Sequence, residues 1–247
     1  MIPFAAEPIF FVGKFPVTNS FLHTLLVDGI ILAGVFAIKN KITLHPSKFQ
    51  NALEMVMDGF YGLIQSISPK QVTRIFPYFM TFFIFILIAN WTSLLPGIGT
   101  IGFFRGEGHE KELIPFLRGT ASDINTTLGL ALVSIIATHI MSINVLGFKE
   151  YISRFLSFNP LYLFIGLLEL ISEFTKIISL SFRLFGNIYA GEVVIATISN
   201  VFAFFAPLPF LALEVIVGLV QALVFSMLTM TFMSILTTSH HEGGEHA

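Results

Sequence analysis

A chain of 247 residues, 55% of them hydrophobic and only 11% charged, is not a soluble domain, which would carry about 25% charge. Apolar runs recur at the length of about 20 residues that spans a bilayer as helix. A net charge of −2 gives no electrostatic support to a nucleic-acid partner, and the absence of cysteine excludes disulfides and thiolate metal sites.

The first 20 residues hold Glu7, Lys14 and prolines at 3, 8 and 16. They lack a basic start followed by an apolar core, so no cleaved signal is expected, and they are read as an outer N-terminal segment. The first predicted span covers residues 21–38, with His23 and Asp28 inside it. Residues 46–67 have another texture. Ser47 and Gln50 are spaced as a capping box. Phe49, Leu53, Val56, Phe60, Leu63 and Ile67 then recur at steps of three or four, with Lys48, Asn51, Glu54, Asp58 and Gln65 on the other face. This spacing predicts an amphipathic helix lying on a membrane surface.

A second span is predicted over 76–95 and ends at Pro96-Gly97. The polar stretch 96–122, with Arg105, Glu107, His109, Glu110, Lys111 and Glu112, follows as an outer loop. A third span runs over 123–146, after which Lys149, Glu150 and Arg154 mark a return to water. Lys39, Lys41, Lys48, Lys70 and Arg74 lie between the first two spans. By the positive-inside rule they put the N-terminus outside and the Lys-rich segments inside.

From Leu161 to Ala206 no proline interrupts an apolar run of 46 residues. As one helix it would extend roughly 69 Å, about twice the hydrocarbon thickness. Either the chain turns back within it or the helix lies steeply tilted. A second long run, Leu208 to Thr237, follows Pro207 and Pro209. The two together predict a tilted helical hairpin over 160–238, before a polar tail at 239–247. The fold class expected is an all-α membrane protein forming a single membrane domain, with the C-terminus inside.

Inside these two runs stand Glu169, Glu173, Lys176, Arg183, Glu192 and Glu214. Each charge at mid-membrane costs about 2.5–3.5 kcal/mol, so such residues face protein or water and are functional by default. At about 100° per residue, with Arg183 at zero, Lys176 falls near 20°, Glu169 and Asn187 near 40° and Glu173 near 80°. These form one predicted polar stripe. Glu192 lies near 180° and about 13.5 Å further along the axis. Two acidic clusters are thus separated by an arginine, which keeps its proton and can act as a fixed positive barrier between two proton-accessible zones. Glu214 and Gln221, seven residues apart, share a face of the next helix.

Plainer readings stand beside these. Lys176 serves equally as a structural bridge to Glu173 or Glu169, and Glu214 as a capping or packing residue near Pro209. His23 and Asp28 are read as idle residues near a membrane face. His139, alone in an apolar span, is read as a packing residue. His240, His241, Glu242 and His246 are read as a solvated terminus rather than a metal site.

The segment Ser181-Phe182-Arg183-Leu184-Phe185-Gly186-Asn187-Ile188-Tyr189-Ala190-Gly191-Glu192 closely resembles the signature of the F-type ATP synthase a subunit. Asn90 to Gly97 resembles the family's end of the second span, Ala121 to Leu128 its start of the third, and Gln221 to Phe225 its last-helix glutamine segment. The likeness covers residues 20 to 238. It implies one membrane helix, a surface helix, two further membrane helices and a tilted membrane hairpin. It also implies partners: a rotating ring of c subunits with membrane carboxylates, peripheral-stalk b subunits, the remainder of the synthase and the lipid bilayer.

On this resemblance Arg183 is the essential arginine that attracts a deprotonated ring carboxylate and blocks a direct leak. Glu192, Glu214 and Gln221 line an outer half-channel, with Asn90, Asp123 and Asn125 near its mouth. Glu169, Ser172, Glu173 and Lys176 line an inner one, and Asn187 supports the arginine zone. Many members pair a glutamate with a histidine at the two outer sites, whereas here both are acidic. Two close carboxylates do not both ionise easily, so this pair is expected to share a proton. Ser93 replaces an acidic residue of some relatives. Tyr189 and Glu192 give the motif a bacterial look, which implies the bacterial cytoplasmic (inner) membrane. No cofactor or metal is expected, and without a Gly-x-x-x-x-Gly-Lys loop the nucleotide chemistry lies on another chain. A secondary transporter would show paired repeats with interrupted helices, which this chain lacks. A structural scaffold would not need Arg183.

Overall fold

The computed structural model describes residues 6–39, 42–43, 46–105, 112–155, 160–201 and 205–238. The polar-loop residues Glu107, His109, Glu110 and Lys111, and the tail residues His240, His241, Glu242 and His246, lie outside them. Among the described residues the chain is built of helices: α1 (Asn19–Lys39), α2 (Lys48–Ile67), α3 (Val72–Ser93), α4 (Ile124–Leu146), α5 (Phe148–Phe155), α6 (Pro160–Val201) and α7 (Pro207–Thr237). Two small antiparallel hairpins, β1 (Pro8–Val12) with β2 (Phe15–Thr18) and β3 (Gly102–Arg105) with β4 (Glu112–Pro115), were not expected from the sequence. Their strands are four or five residues long, too short for an alternating pattern to stand out from the surrounding loops.

Local chemistry sets most boundaries. Thr18 caps α1, its Oγ1 accepting from the Phe21 amide at 3.3 Å, which satisfies one of the orphan donors of a helix start. Ser47 caps α2 in the same way, accepting from the Gln50 amide at 3.3 Å. The reciprocal half of the expected capping box is not made. Gln50 instead turns back to Thr43, accepting from its amide at 3.2 Å and donating to its carbonyl at 3.0 Å. Asp123 caps α4 by accepting from the Asn125 amide at 3.0 Å. Gly147, at φ 86°, occupies the left-handed position that ends a helix and lets the chain turn directly from α4 into α5. Pro160 and Pro207 are first residues of their helices, where a missing amide hydrogen costs nothing. Pro77 sits in the second turn of α3 and removes one early backbone bond without stopping the helix.

Four helices are long and apolar enough to cross a membrane: α1, α3, α4 and α7. The longest is α6, 42 residues and thus about 63 Å. The alternative that the chain turns back within this run is removed for Pro160–Val201, which is one unbroken helix.

Contacts group the chain into two compact units, to both of which α3, α4, α6 and α7 contribute. One comprises Met1–Ile42, Phe82–Thr127 and Ser181–Leu223. Its core includes Val27, Ile86, Leu184, Phe185, Ile188 and Ala222. The other comprises Thr43–Thr81, Leu128–Leu180 and Val224–Ala247, and buries Ile64, Ile75, Phe79, Ile135, Leu180, Met230 and Met233. In this second unit α2 packs on the start of α3 through Phe60 on Phe79 and Tyr61 on Phe76, with ring centroids 5.1 and 5.5 Å apart.

Candidate functional site

In the first unit the arginine motif divides α6 into two faces. Ser181, Leu184, Phe185, Ile188 and Gly191 turn inward, and the Ser181 hydroxyl meets that of Thr127 at 3.1 Å. Arg183, Gly186, Asn187 and Ala190 recur at three- and four-residue steps on the exposed face. A side chain added at Gly186 would meet nothing within 4 Å. Large apolar neighbours, Phe182 at 55% and Val194 at 41% exposure, flank this strip. The arginine therefore stands on an apolar surface beside residues too small to keep another helix at a distance.

The inward side of the same unit brings the acidic residues together. Glu214 of α7 is buried and lies so close to the α6 backbone that a Cβ at Gly191 would collide with its carboxylate. Glu192 faces Ser122, Arg118 and Glu214. Its Oε1 would stand 2.7 Å from a Cβ at Gly119, so two glycines make room for two carboxylates. Asn90 of α3 is buried and donates to the Gly218 carbonyl of α7 at 3.2 Å, while Trp91 donates to that of Val215 at 3.1 Å. Gln221 is also buried. Asp123 accepts from the Ser20 hydroxyl of α1 at 2.7 Å. Asn125 is exposed and bonds only back to Asp123, through its amide and its side chain at 3.3 Å.

Sequence reasoning missed part of this neighbourhood. The turn Gly119–Ser122 supplies groups to Glu192, and Arg118, which no sequence motif marked, donates to the Ser122 carbonyl at 3.2 Å. His23, read as idle near a membrane face, is fully buried. Its Nδ1 accepts from the Thr120 amide at 3.2 Å and lies 2.7 Å from the Thr120 hydroxyl, which assigns the proton to Nε2. Asp28, by contrast, is exposed. No spacing in the sequence could link His23 to Thr120, because the pair is 97 residues apart.

In the second unit the acidic residues have cations against them. Glu173 is buried and accepts from Lys176 Nζ at 2.7 Å. Glu169 accepts from Arg154 Nε at 2.6 Å. Arg154, just past the third predicted span, is held by protein, and its guanidinium also reaches the Ile235 and Leu236 carbonyls at 3.4 and 3.5 Å. Ser172 is exposed. The predicted single stripe is therefore divided. Glu173 is buried with a partner and Lys176 rests over the Phe232 ring at 4.7 Å, whereas Arg183 and Asn187 are exposed. An angular spread of about 80° is enough to put Glu173 against a neighbour and Arg183 outside.

Among the described residues no group of three or more histidine, cysteine, aspartate or glutamate side chains is arranged to hold a metal ion. What the helices do carry is an exposed arginine and buried Glu173 on the 42-residue α6 and buried Glu214 on α7, beside four helices long and apolar enough to cross a membrane. That combination defines a membrane protein that handles charge inside the bilayer.

Comparison with known proteins makes the class specific. Residues 21–234 match the family described as ATP synthase A chain. The chain is 32% identical over 232 residues to ATP synthase subunit a of Moorella thermoacetica, covering 94% of this chain and 96% of that one. It is 30% identical over 233 residues to the Legionella pneumophila subunit a, covering 94% and 91%. Against ATP synthase subunit a 2 of Pelobacter propionicus it is 28% identical over 228 residues, covering 92% and 90%. The chain belongs to the ATP synthase A chain family. It is accordingly a helical membrane subunit of an ATP synthase complex, with a stator role in proton translocation.

Proposed function

We propose that this chain supplies two offset aqueous half-channels that load and unload protons on the carboxylates of a rotating c-subunit ring, with Arg183 as the barrier between them. The observation that carries the reading is the exposed strip of Arg183, Gly186, Asn187 and Ala190. A ring helix can approach this strip closely, and a deprotonated ring carboxylate would find a cation there that does not give up its proton. Glu192, Glu214 and Gln221 serve the outer half-channel, with Asn90, Asp123 and Asn125 toward its mouth. Glu169, Ser172, Glu173 and Lys176 serve the inner one, and Asn187 supports Arg183. Because the protein lets no proton pass Arg183 directly, each must ride the ring, and one charge crossing 100 mV supplies about 2.3 kcal/mol.

The proposed setting is the bacterial inner membrane, with the N-terminus outside, the C-terminus inside, α2 on the membrane surface and α6–α7 as a tilted hairpin. Peripheral-stalk b subunits hold the chain still while the ring turns.

Cysteine cross-linking tests the proposed ring-facing strip against a background free of native cysteine. Asn187→Cys and Ala190→Cys are expected to form disulfides with a cysteine placed beside the ring carboxylate, whereas buried Leu184→Cys is not. Cross-links from Leu184→Cys alone would place the ring on another face and remove the reading.

A further inference from the structure

The second unit contains a chain of polar groups to which the half-channel assignment gives only its acidic end. The Tyr151 hydroxyl of α5 lies 3.0 Å from His139 Nδ1 of α4, with the two rings edge to face at 5.9 Å. On the other side of the imidazole, Nε2 is 3.6 Å from Glu173 Oε2. Glu173 Oε1 is held by Lys176, but Oε2 is buried without a hydrogen-bond partner. The Tyr151 hydroxyl alone would suit a packing histidine, but the second nitrogen is directed at a buried carboxylate oxygen that has no hydrogen-bond partner. The three residues line one cavity of about 230 Å³, otherwise apolar, with Ile135 and Phe174 among its walls. This volume holds several waters at about 30 Å³ each.

Separations decide what the chain can carry. The contact of 3.0 Å between Tyr151 and His139 is a direct hydrogen bond, whereas 3.6 Å is too long for one, so transfer across it goes by way of a cavity water that touches both atoms. Burial, then the charges of Glu173 and Glu169, hold the Tyr151 phenol above its usual range, so its hydroxyl keeps a proton to give. Arg154 acts on the same phenol in the opposite sense. Lys176 fixes one oxygen of Glu173 and leaves the other toward the imidazole.

We propose that His139 carries protons in the inner half-channel, passing them between Glu173 and the Tyr151 hydroxyl through water in this cavity; the proposal rests on the half-channel reading above. A proton on Glu173 Oε2 moves through one water to His139 Nε2. The Nδ1 proton passes to the Tyr151 oxygen as the hydroxyl's own proton leaves to cavity water. The imidazole is left as its other tautomer, with its single proton on Nε2 and Nδ1 now accepting from Tyr151, and it returns when Nε2 gives that proton to cavity water as Nδ1 takes one up from water. No net charge remains on the ring. The reverse order serves flow in the opposite direction.

The test uses the complete ATP synthase in membrane vesicles, with passive proton conductance read after the catalytic head is removed. His139→Ala is expected to lower conductance about tenfold, a modest share of what a positioned proton carrier contributes. Added imidazole, entering the enlarged cavity, is expected to restore most of it. His139→Gln keeps hydrogen bonding but carries no proton, so it should be equally slow and gain nothing from imidazole. Tyr151→Phe should lower conductance less, about threefold, because water can replace the hydroxyl. Wild-type conductance in either His139 variant, or a loss in His139→Ala that imidazole does not restore, overturns the proposal. If His139→Ala fails to assemble, His139→Gln decides alone: slow in an assembled complex supports the relay, and wild-type flux removes it. Arg183→Ala, measured in parallel by ATP-driven pumping, separates the two levels. Lost pumping there with unimpaired His139 variants sinks only the relay, whereas retained pumping sinks the half-channel reading itself.

Discussion

The two compact units surround the carboxylates of α6 and α7 differently. Around Glu169 and Glu173 each acid has a cation within hydrogen-bonding distance, Arg154 at 2.6 Å and Lys176 at 2.7 Å. Around Glu192 and Glu214 the neighbours are the backbones of Gly119 and Gly191, the Ser122 side chain and one another, with Arg118 acting on Glu192. A carboxylate beside a lysine or arginine has one oxygen fixed in place, because burying it alone would be costly. A carboxylate seated on a glycine has space, and a second acid beside it favours one shared proton over two charges. The first arrangement fixes one oxygen of each acid and leaves Glu173 Oε2 toward His139. The second leaves room for a proton to arrive and depart.

If that contrast is sound, small changes should break each unit differently. The largest effect is expected from Gly191→Ala, whose methyl would occupy the position of the Glu214 carboxylate. ATP-driven pumping should fall at least about tenfold, since inserting a methyl into filled space forces side chains and backbone to shift. The shorter acid in Gly191→Ala with Glu214→Asp should recover part of the loss. Unchanged pumping in the single variant would show that Glu214 is not seated there.

Next comes Arg154→Ala, which leaves Glu169 without its cation and frees two carbonyls at the end of α7. A stability loss of about 3 kcal/mol is expected, read as a lower unfolding temperature of the solubilised complex. Arg154→Lys should recover only part, because an ammonium cannot reach the carboxylate and both carbonyls as a planar fork does. The smallest effect belongs to Ser20→Ala. It removes the 2.7 Å hydrogen bond to Asp123 and should cost about 1 kcal/mol, with pumping slowed less than in Gly191→Ala. A larger defect than that of Gly191→Ala would invert the comparison and make Asp123 the more sensitive group.

Much of the fold could be read in the chain because membrane helices announce themselves by length and apolarity. The runs beginning at Phe21, Phe76, Asp123, Leu161 and Leu208 all fall on helices, and Ser47 caps α2 where its spacing required. The strands were not readable, being only four or five residues long and each held by one partner strand. Within the site, Arg183, Glu192 and Glu214 stood out because charge is rare in apolar runs. His23 with Thr120, and His139 with Tyr151 and Glu173, did not. Each is a polar group that looks ordinary in one dimension and meets its partner only after helices pack. The partner of Arg154 was hidden for a related reason: a basic residue just past a span reads as an interfacial residue, and its contact with Glu169 forms only once α5 packs on α6.

The measurement that bears most directly on the central claim is passive proton conductance of head-stripped vesicles carrying Arg183→Ala, with pumping by the intact complex measured beside it. A barrier residue predicts an assembled complex in which pumping is lost while passive conductance equals or exceeds that of the wild type. Pumping that survives, or conductance that vanishes together with pumping in an assembled complex, would contradict the assignment of Arg183 as the barrier between two half-channels.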